Sequence, residues 1–334
     1  MEIDKKIDKA GYINDLRAFK SYIEKSYQKD PRILLEKISK KPGMKIYCAG
    51  MGGSGIASDL LGIYLKKELE IITVKDYDFP FKLKEEDLVI ISSYSGNTEE
   101  AISCFRAARR ANAQILIIAS GGKLIDQAKN TNTPYLDMPK NFQPRSTIPF
   151  SFFPLLRVFE ELALVSSKEE EVKALIDYFE RNTVESIAES MSEKFSEKTP
   201  IVYSSSKYYP VALRWKTQFN ENAKIPAFAN FFPELNHNEL NSFFKDADKY
   251  HVVMLIFDDD IARMKKRMNT TKDVLLNQGV SVTALDIKGD FLTKIFSSVI
   301  LGDFISYFTA LRLGVDPSPV VVIEDFKRRM GPFI

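Results

Sequence analysis

Leu88-Val89-Ile90-Ile91-Ser92-Ser93-Tyr94-Ser95-Gly96-Asn97-Thr98-Glu99-Glu100 is an apolar run that breaks into hydroxyls and ends on two acids. The four aliphatic residues describe a buried strand, and the polar stretch describes a loop that opens a helix. Thr98 or Asn97 is placed to cap that helix, with Glu99 and Glu100 in its first turn. Hydroxyls and backbone N–H groups then gather at the positive end of a helix dipole, which suits a phosphate monoester. A plain Ser/Gly/Asn turn would have the same composition, so the loop needs company.

That company lies upstream. Met44-Lys45-Ile46-Tyr47-Cys48-Ala49 describes a buried strand, followed by Gly50-Met51-Gly52-Gly53-Ser54-Gly55 and a helical stretch over 56–66. Gly50, Gly52 and Gly55 satisfy G-x-G-x-x-G, and Asp76 follows about 20 residues on, close to a dinucleotide fingerprint. An NAD-linked enzyme is therefore one reading. Against it, Gly53 and Ser54 add a small residue and a hydroxyl fit to clasp one phosphate. The hydroxyls of 93–98 also stand where a dinucleotide needs none. No G-x-x-x-x-G-K-[ST] occurs, which removes a nucleoside-triphosphate P-loop.

Strands are expected at 46–49, 71–74, 88–92, 114–119 and 135–138, with helices at 56–66, 98–112 and 123–129 between them. This alternation predicts a parallel sheet with helices on both faces. A long apolar helix follows over 148–164, and 167–195 is charged and helical. After Pro200 the pattern restarts, with strands at 201–206, 227–231, 250–257 and 280–287 and helices at 208–223, 261–277 and 293–313. The second copy lacks both polar loops and reads as a wall that closes the site. A last helix over 319–330 is expected to carry Pro319 in its first turn.

With 334 residues the chain has room for about two domains. Its 47 basic and 45 acidic side chains leave a formal charge of +2, which gives no support for nucleic-acid or membrane-surface binding. Met1-Glu2-Ile3-Asp4-Lys5-Lys6 has no signal-peptide core, and no apolar stretch is expected to span a membrane. Cys48 and Cys104 are expected to be reduced core residues of a cytoplasmic protein. Two cysteines and two histidines, none at ligand spacing, make no metal site. His251 opens a strand and suits a structural role. His237, within Glu234-Leu235-Asn236-His237-Asn238-Glu239, sits in a polar setting that suits function. Asn220-Glu221-Asn222 ends the helix carrying Trp215 and offers a carboxylate.

The Gly-Gly-Ser-Gly and Ser-x-Ser-Gly-x-Thr loops resemble the sugar isomerase (SIS) domain, over roughly residues 40–165. Over nearly the whole chain the sequence resembles the bifunctional phosphoglucose/phosphomannose isomerases. That resemblance implies an α/β fold of two SIS-type doubly wound parallel-sheet domains of flavodoxin-like order, joined by a helical connector. Residues 1–165 would be the first domain, 166–199 the connector, and 200–334 the degenerate second domain. It implies that Gly53, Ser54, Ser93, Ser95 and Thr98 bind the sugar phosphate and that Arg145 binds substrate and serves catalysis. Glu221 would be the catalytic carboxylate and His237 the ring-opening histidine. Lys327 would be a catalytic lysine, although Lys327-Arg328-Arg329 is also an ordinary basic helix end. The implied activity interconverts glucose 6-phosphate and mannose 6-phosphate with fructose 6-phosphate through a cis-enediol. It belongs to glycolysis and gluconeogenesis, needs no cofactor, and runs in a homodimer with His237 shared across the interface. A non-catalytic SIS sensor of sugar phosphates is the rival; it would keep the loops and need neither Glu221 nor His237.

Overall fold

The computed structural model describes residues 4–331 and 333. Met1 to Ile3, the start of the stretch without a signal-peptide core, lie outside the described residues. The chain forms two compact units. One comprises residues 18–176 with Phe333, and the other comprises residues 4–17 with 177–331.

Helices α1 (Tyr12–Arg17) and α2 (Phe19–Tyr27) precede strand β1 (Ile46–Ala49). Helix α3 (Gly52–Leu65), β2 (Ile71–Val74), β3 (Leu88–Ser92), α4 (Glu99–Arg110), β4 (Gln114–Ala119), α5 (Gly122–Asn130), β5 (Tyr135–Asp137) and α6 (Ile148–Glu161) follow. The five strands are parallel in the order β2-β1-β3-β4-β5, the flavodoxin-like arrangement. Because side chains alternate along a strand, the sheet divides its aliphatics between two faces. Tyr47, Val89, Ile91, Ile115 and Ile117 pack with Ile102 and Phe105 of α4 and Leu124 of α5. Cys48 turns the other way and is wholly buried, and burial pushes its thiol up to about 12. Both cysteines are free and buried.

In the second unit the order is α7 (Glu169–Arg181), which straddles the division, α8 (Glu185–Ser192), β6 (Thr199–Ser205), α9 (Tyr209–Gln218) and β7 (Phe228–Phe232). Strand β8 (Tyr250–Phe257), α10 (Ala262–Asn277), β9 (Ser281–Ile287), α11 (Phe291–Arg312) and α12 (Val321–Met330) complete it. Its four parallel strands run β7-β6-β8-β9, the first sheet's order without a fifth strand. One face packs Tyr203, Val252, Met254 and Ile256 against Met268 and Leu275 of α10, together with Leu235 and Phe243 from the β7–β8 crossover. The opposite face carries α9, which packs on β6 and α11. Trp215 of α9 is fully buried and donates its indole N–H to Ser298 O at 2.7 Å.

Several boundaries differ from expectation. The unit division does not follow 1–165, 166–199 and 200–334. Asp8 accepts the N–H groups of Tyr12 at 2.7 Å and Ile13 at 3.1 Å and the Tyr307 hydroxyl of α11 at 3.0 Å, which anchors the N-terminal helix in the second unit. Arg312 of α11 donates to Ser192 Oγ at 2.7 Å, so α8 belongs there too. Helix α3 starts at Gly52 rather than 56, because the glycines themselves form its first turn. Pro319 lies ahead of α12, which begins at Val321. Finally, α11 is long and apolar enough to cross a membrane, with mean hydropathy 1.4 over an 18-residue window, contrary to expectation. That window is 89% buried inside the protein, which makes α11 a core helix.

Candidate active site

In the unit of residues 18–176, the turns after β1 and β3 meet at the carboxyl ends of the strands, where the strand order reverses direction. Open α/β sheets bind ligands at such a switch point. Ser54 stands in the first turn of α3 and is buried, and its Oγ accepts the Tyr94 N–H at 3.3 Å. Ser93 Oγ donates to Thr98 Oγ1 at 2.8 Å, and Ser95 Oγ accepts the Asn97 N–H at 3.2 Å. Thr98 occupies the N-cap position of α4, but its hydroxyl turns to Ser93 instead of capping. Asn97 does not cap either, since its Oδ1 accepts the Lys123 N–H at 3.0 Å. The hydroxyls therefore face one another within the loop. Gly96, at φ +67°, permits this turn; a Cβ there would lie 1.8 Å from Gly121 O.

Arg145 joins the same cluster through the backbone. A Cβ on Gly53 would lie 2.6 Å from Pro144 O and 3.3 Å from Arg145 Cα, so only glycine lets the Arg145 turn lean on α3. Arg145 is 1% exposed, and its Nη1 donates to Gln143 Oε1 at 3.3 Å. Tyr94 Oη accepts the Phe142 N–H at 2.8 Å and ties the hydroxyl loop to the same segment. Among the described residues, the buried hydroxyls of Ser92 and Ser146 have no hydrogen-bond partner. Orphaned buried groups are rare in native proteins and mark places that water or a ligand completes. These two, with Tyr94, were missed as site residues. Their only signal was position, beside Ser93 and beside Arg145.

In the other unit Glu221 is half-buried within a π-helical turn, Phe219–Ala223, that continues α9. Such turns insert an extra residue and recur at functional sites. Lys224, in the left-handed conformation, closes the turn through its side chain on the Glu221 carbonyl. Asn222 Nδ2 donates to Ser306 Oγ of α11 at 3.0 Å. Arg214, one of the largest buried side chains, forms a two-pronged pair with Asp303 at 3.0 and 2.8 Å. Burial opposes its charge, and Asp303, with smaller help from Tyr12 and Glu221, outweighs it and raises its pKa. Gln218, fully buried one residue before the turn, has no partner for either amide atom among the described residues.

His237 ends the 3₁₀ helix Glu234–His237 and is exposed. Neighbouring polar groups fix its segment. Asn236 Nδ2 donates to Thr271 Oγ1 at 2.8 Å, and Glu239 accepts from Tyr203 Oη at 2.7 Å. Leu235, in the same 3₁₀ helix, packs on the α10 face of the sheet, whereas Glu221 follows α9 on the opposite face. His251 lies in β8, bonded to Thr283 Oγ1 at 2.9 Å, and burial with Lys194 and Lys198 pushes its pKa down to about 4. It is a neutral core residue. Lys327 lies on α12, none of whose residues is buried; Arg328 and Arg329 pair with Asp325, and among the described residues Lys327 pairs with nothing.

The paired loops on a 2-1-3-4-5 parallel sheet define a sugar-isomerase type of α/β protein. In the other unit, residues 184–330 match the family model of the bacterial phospho-glucose isomerase C-terminal SIS domain. The tagatose-6-phosphate ketose/aldose isomerase of Escherichia coli superposes with a TM-score of 0.74 at 16% identity, covering 93% of this chain and 95% of that one. The bifunctional phosphoglucose/phosphomannose isomerase of Caldicellulosiruptor bescii is 35% identical over 305 residues, 86% of this chain and 89% of its own. That of Thermoplasma volcanium is 36% identical over 290 residues, 86% and 91% of the two chains. The chain belongs to the bifunctional phosphoglucose/phosphomannose isomerase family.

Proposed function

We propose that this enzyme interconverts glucose 6-phosphate and mannose 6-phosphate with fructose 6-phosphate, using the residues described above. The observation that carries the reading is the gathering of Ser54, Ser93, Ser95 and Thr98 around the first turn of α3, with Arg145 leaning on that turn through Gly53. Hydroxyls and a helix N-terminus hold the phosphate, which leaves the sugar carbons to be worked on from beyond the loop. Aldose and ketose differ by one proton moved between C2 and C1. Glu221 takes the proton from one carbon and returns it to the other. Arg145, which has no proton to lose, stabilises the negative charge that develops on the enediol oxygens, and Lys327 supplies a second cation. An imidazole, His237, protonates the ring oxygen to open the cyclic substrate. C2 is planar in the enediol, so both epimers pass through one intermediate. None of these steps calls on a metal or redox group.

The site is completed by a second copy of the chain. Leu235 of the His237 segment and α9, which leads to Glu221, pack on opposite faces of one sheet, which supports a homodimer in which His237 of the partner subunit serves the Glu221 of the first. A two-fold axis gives both sites the same exchange.

Incubation of chelator-treated protein with fructose 6-phosphate should yield both aldose 6-phosphates. A sensor would yield neither, and absence of mannose 6-phosphate would remove the dual specificity. The shared site is tested by unfolding Glu221→Gln and His237→Ala proteins together and refolding the mixture. Each mixed dimer then holds one intact site, and about a quarter of wild-type activity returns. No recovery, while refolded wild type is active, rules the exchange out.

A further inference from the structure

Beside the His237 segment, α10 walls a cavity of about 280 Å³ lined by Asn236, Leu240, Arg263, Lys266, Arg267 and Thr271 among others. Arg263, Lys266 and Arg267 fall at i, i+3 and i+4, so their side chains share one helix face. Among the described residues none of the three pairs with a carboxylate; Arg267 Nη1 instead donates to Asn236 Oδ1 at 3.2 Å. Several cations of this unit are matched, with Lys207 and Lys294 on Asp259, Arg214 on Asp303 and Arg312 on Glu193, whereas these three cluster unpaired around one concavity. Three unmatched cations around a concave site are an electrostatic vacancy for an anion.

We propose that this groove is a regulatory site for a small phosphate-bearing polyanion, of the pyrophosphate or sugar-bisphosphate class. Guanidinium forks and an ammonium match phosphate oxygens in geometry and in charge. Three cations call for more charge than one carboxylate brings, and the volume sits just below the roughly 300–1,000 Å³ typical of larger ligands. The groove communicates with the active site through one hydrogen-bonded chain. Arg267 holds Asn236, Asn236 holds Thr271, and His237 is the next residue. An anion that recruits Arg267 withdraws its hydrogen bond from Asn236 and shifts the loop that delivers His237. The effect falls on kcat, because ring opening is impaired while the phosphate loops are untouched.

The link to catalysis rests on the role proposed for His237, whereas binding does not, and the test separates the two. Pyrophosphate is titrated calorimetrically into protein carrying Ser95→Ala and Thr98→Val, which removes competition from the substrate loop. Binding is expected, weakened at least about tenfold when Arg263→Gln and Lys266→Gln are added. Both are exposed positions whose change leaves the core alone. Absence of binding, or binding that survives the added changes, overturns the site. In wild type, saturating pyrophosphate should lower kcat by about fivefold or more, an effect lost in Arg263→Gln/Lys266→Gln protein. Inhibition that only raises KM and persists in that variant overturns the regulatory link. If wild type converts no sugar phosphate, the isomerase reading fails while the titration still decides the groove.

Discussion

The two sheets share a strand order and differ at the one place where that order makes a crevice. In the first, the turns after β1 and β3 bring Ser54 and the 93–98 hydroxyls to the switch point. In the second, the equivalent turns follow β6 and β8, and they bring Lys207 and the triplet Asp258-Asp259-Asp260. Asp259 pairs with Lys207, accepts from Tyr208 Oη at 2.9 Å, and lies 2.9 Å from Lys294, which also pairs with Asp258 at 2.7 Å. A carboxylate that the chain supplies itself thus stands where the first sheet leaves room for a phosphate. One fold therefore serves two ends. The first switch point is open, as the proposed substrate site requires, and the second is filled by the chain's own Asp259.

The largest expected effect tests the second unit. Glu221→Gln keeps the side chain's size and leaves in place the Glu221 carbonyl that Lys224 holds. Proton exchange at C2 in deuterated water should fall about 10²–10⁴-fold, with KM nearly unchanged. Near-normal exchange would mean that the second unit supplies no base. Next comes the substrate half. Ser95→Ala with Thr98→Val removes two hydroxyls, each worth about 1.5–3 kcal/mol against a charged group. KM for all three sugar phosphates should rise together by about 10²–10⁴-fold, as a phosphate contact requires; a rise for one epimer alone would place these residues at the sugar. Smaller again is Gly53→Ala. The added Cβ presses on the Pro144 carbonyl, so kcat should fall about tenfold through displaced Arg145 with little change in KM.

The first sheet was legible because most of its strands are short, largely apolar runs bounded by polar loops. Four of the five begin and end where Ile46, Ile71, Leu88 and Gln114 predict, and hydroxyls could only follow strand ends. The glycine helix was misjudged by four residues, since Gly52 to Gly55 look like loop until the close approach of Pro144 explains them. Long-range anchoring was hidden altogether. Nothing near Asp8 in sequence announces its bond to Tyr307, and so the N-terminal helix was assigned to the wrong unit. The same blindness covers the site. Glu221 and His237 read as two polar clusters in sequence, and the segments that carry them, α9 and the Leu235 turn, pack on different faces of the sheet, which no local signal announces.

The smallest effect concerns the self-filled switch point itself. Burial alone would raise the pKa of Asp259, but hydrogen bonds from Lys207, Lys294 and Tyr208 outweigh it and hold the carboxyl at about 2. An unfolded aspartate titrates near 3.9. The folded value is the lower one, so the stabilisation is complete above about pH 4 and is lost as pH falls through about 2, with roughly half gone by pH 3. With its side chain 34% exposed, solvent screening reduces the contribution to about 1–2 kcal/mol. Asp259→Asn should therefore be less stable than wild type by that amount in urea at pH 6, and the gap should shrink to about half as the pH is lowered to 3. A gap that stays constant with pH would mean that the carboxylate charge is not what closes this crevice. Loss of the internal anion also leaves Lys207 without its ion pair and Lys294 with only Asp258. Millimolar inorganic phosphate should then raise the stability of Asp259→Asn more than that of wild type, because binding at the first sheet is common to both and only the variant offers a second vacancy.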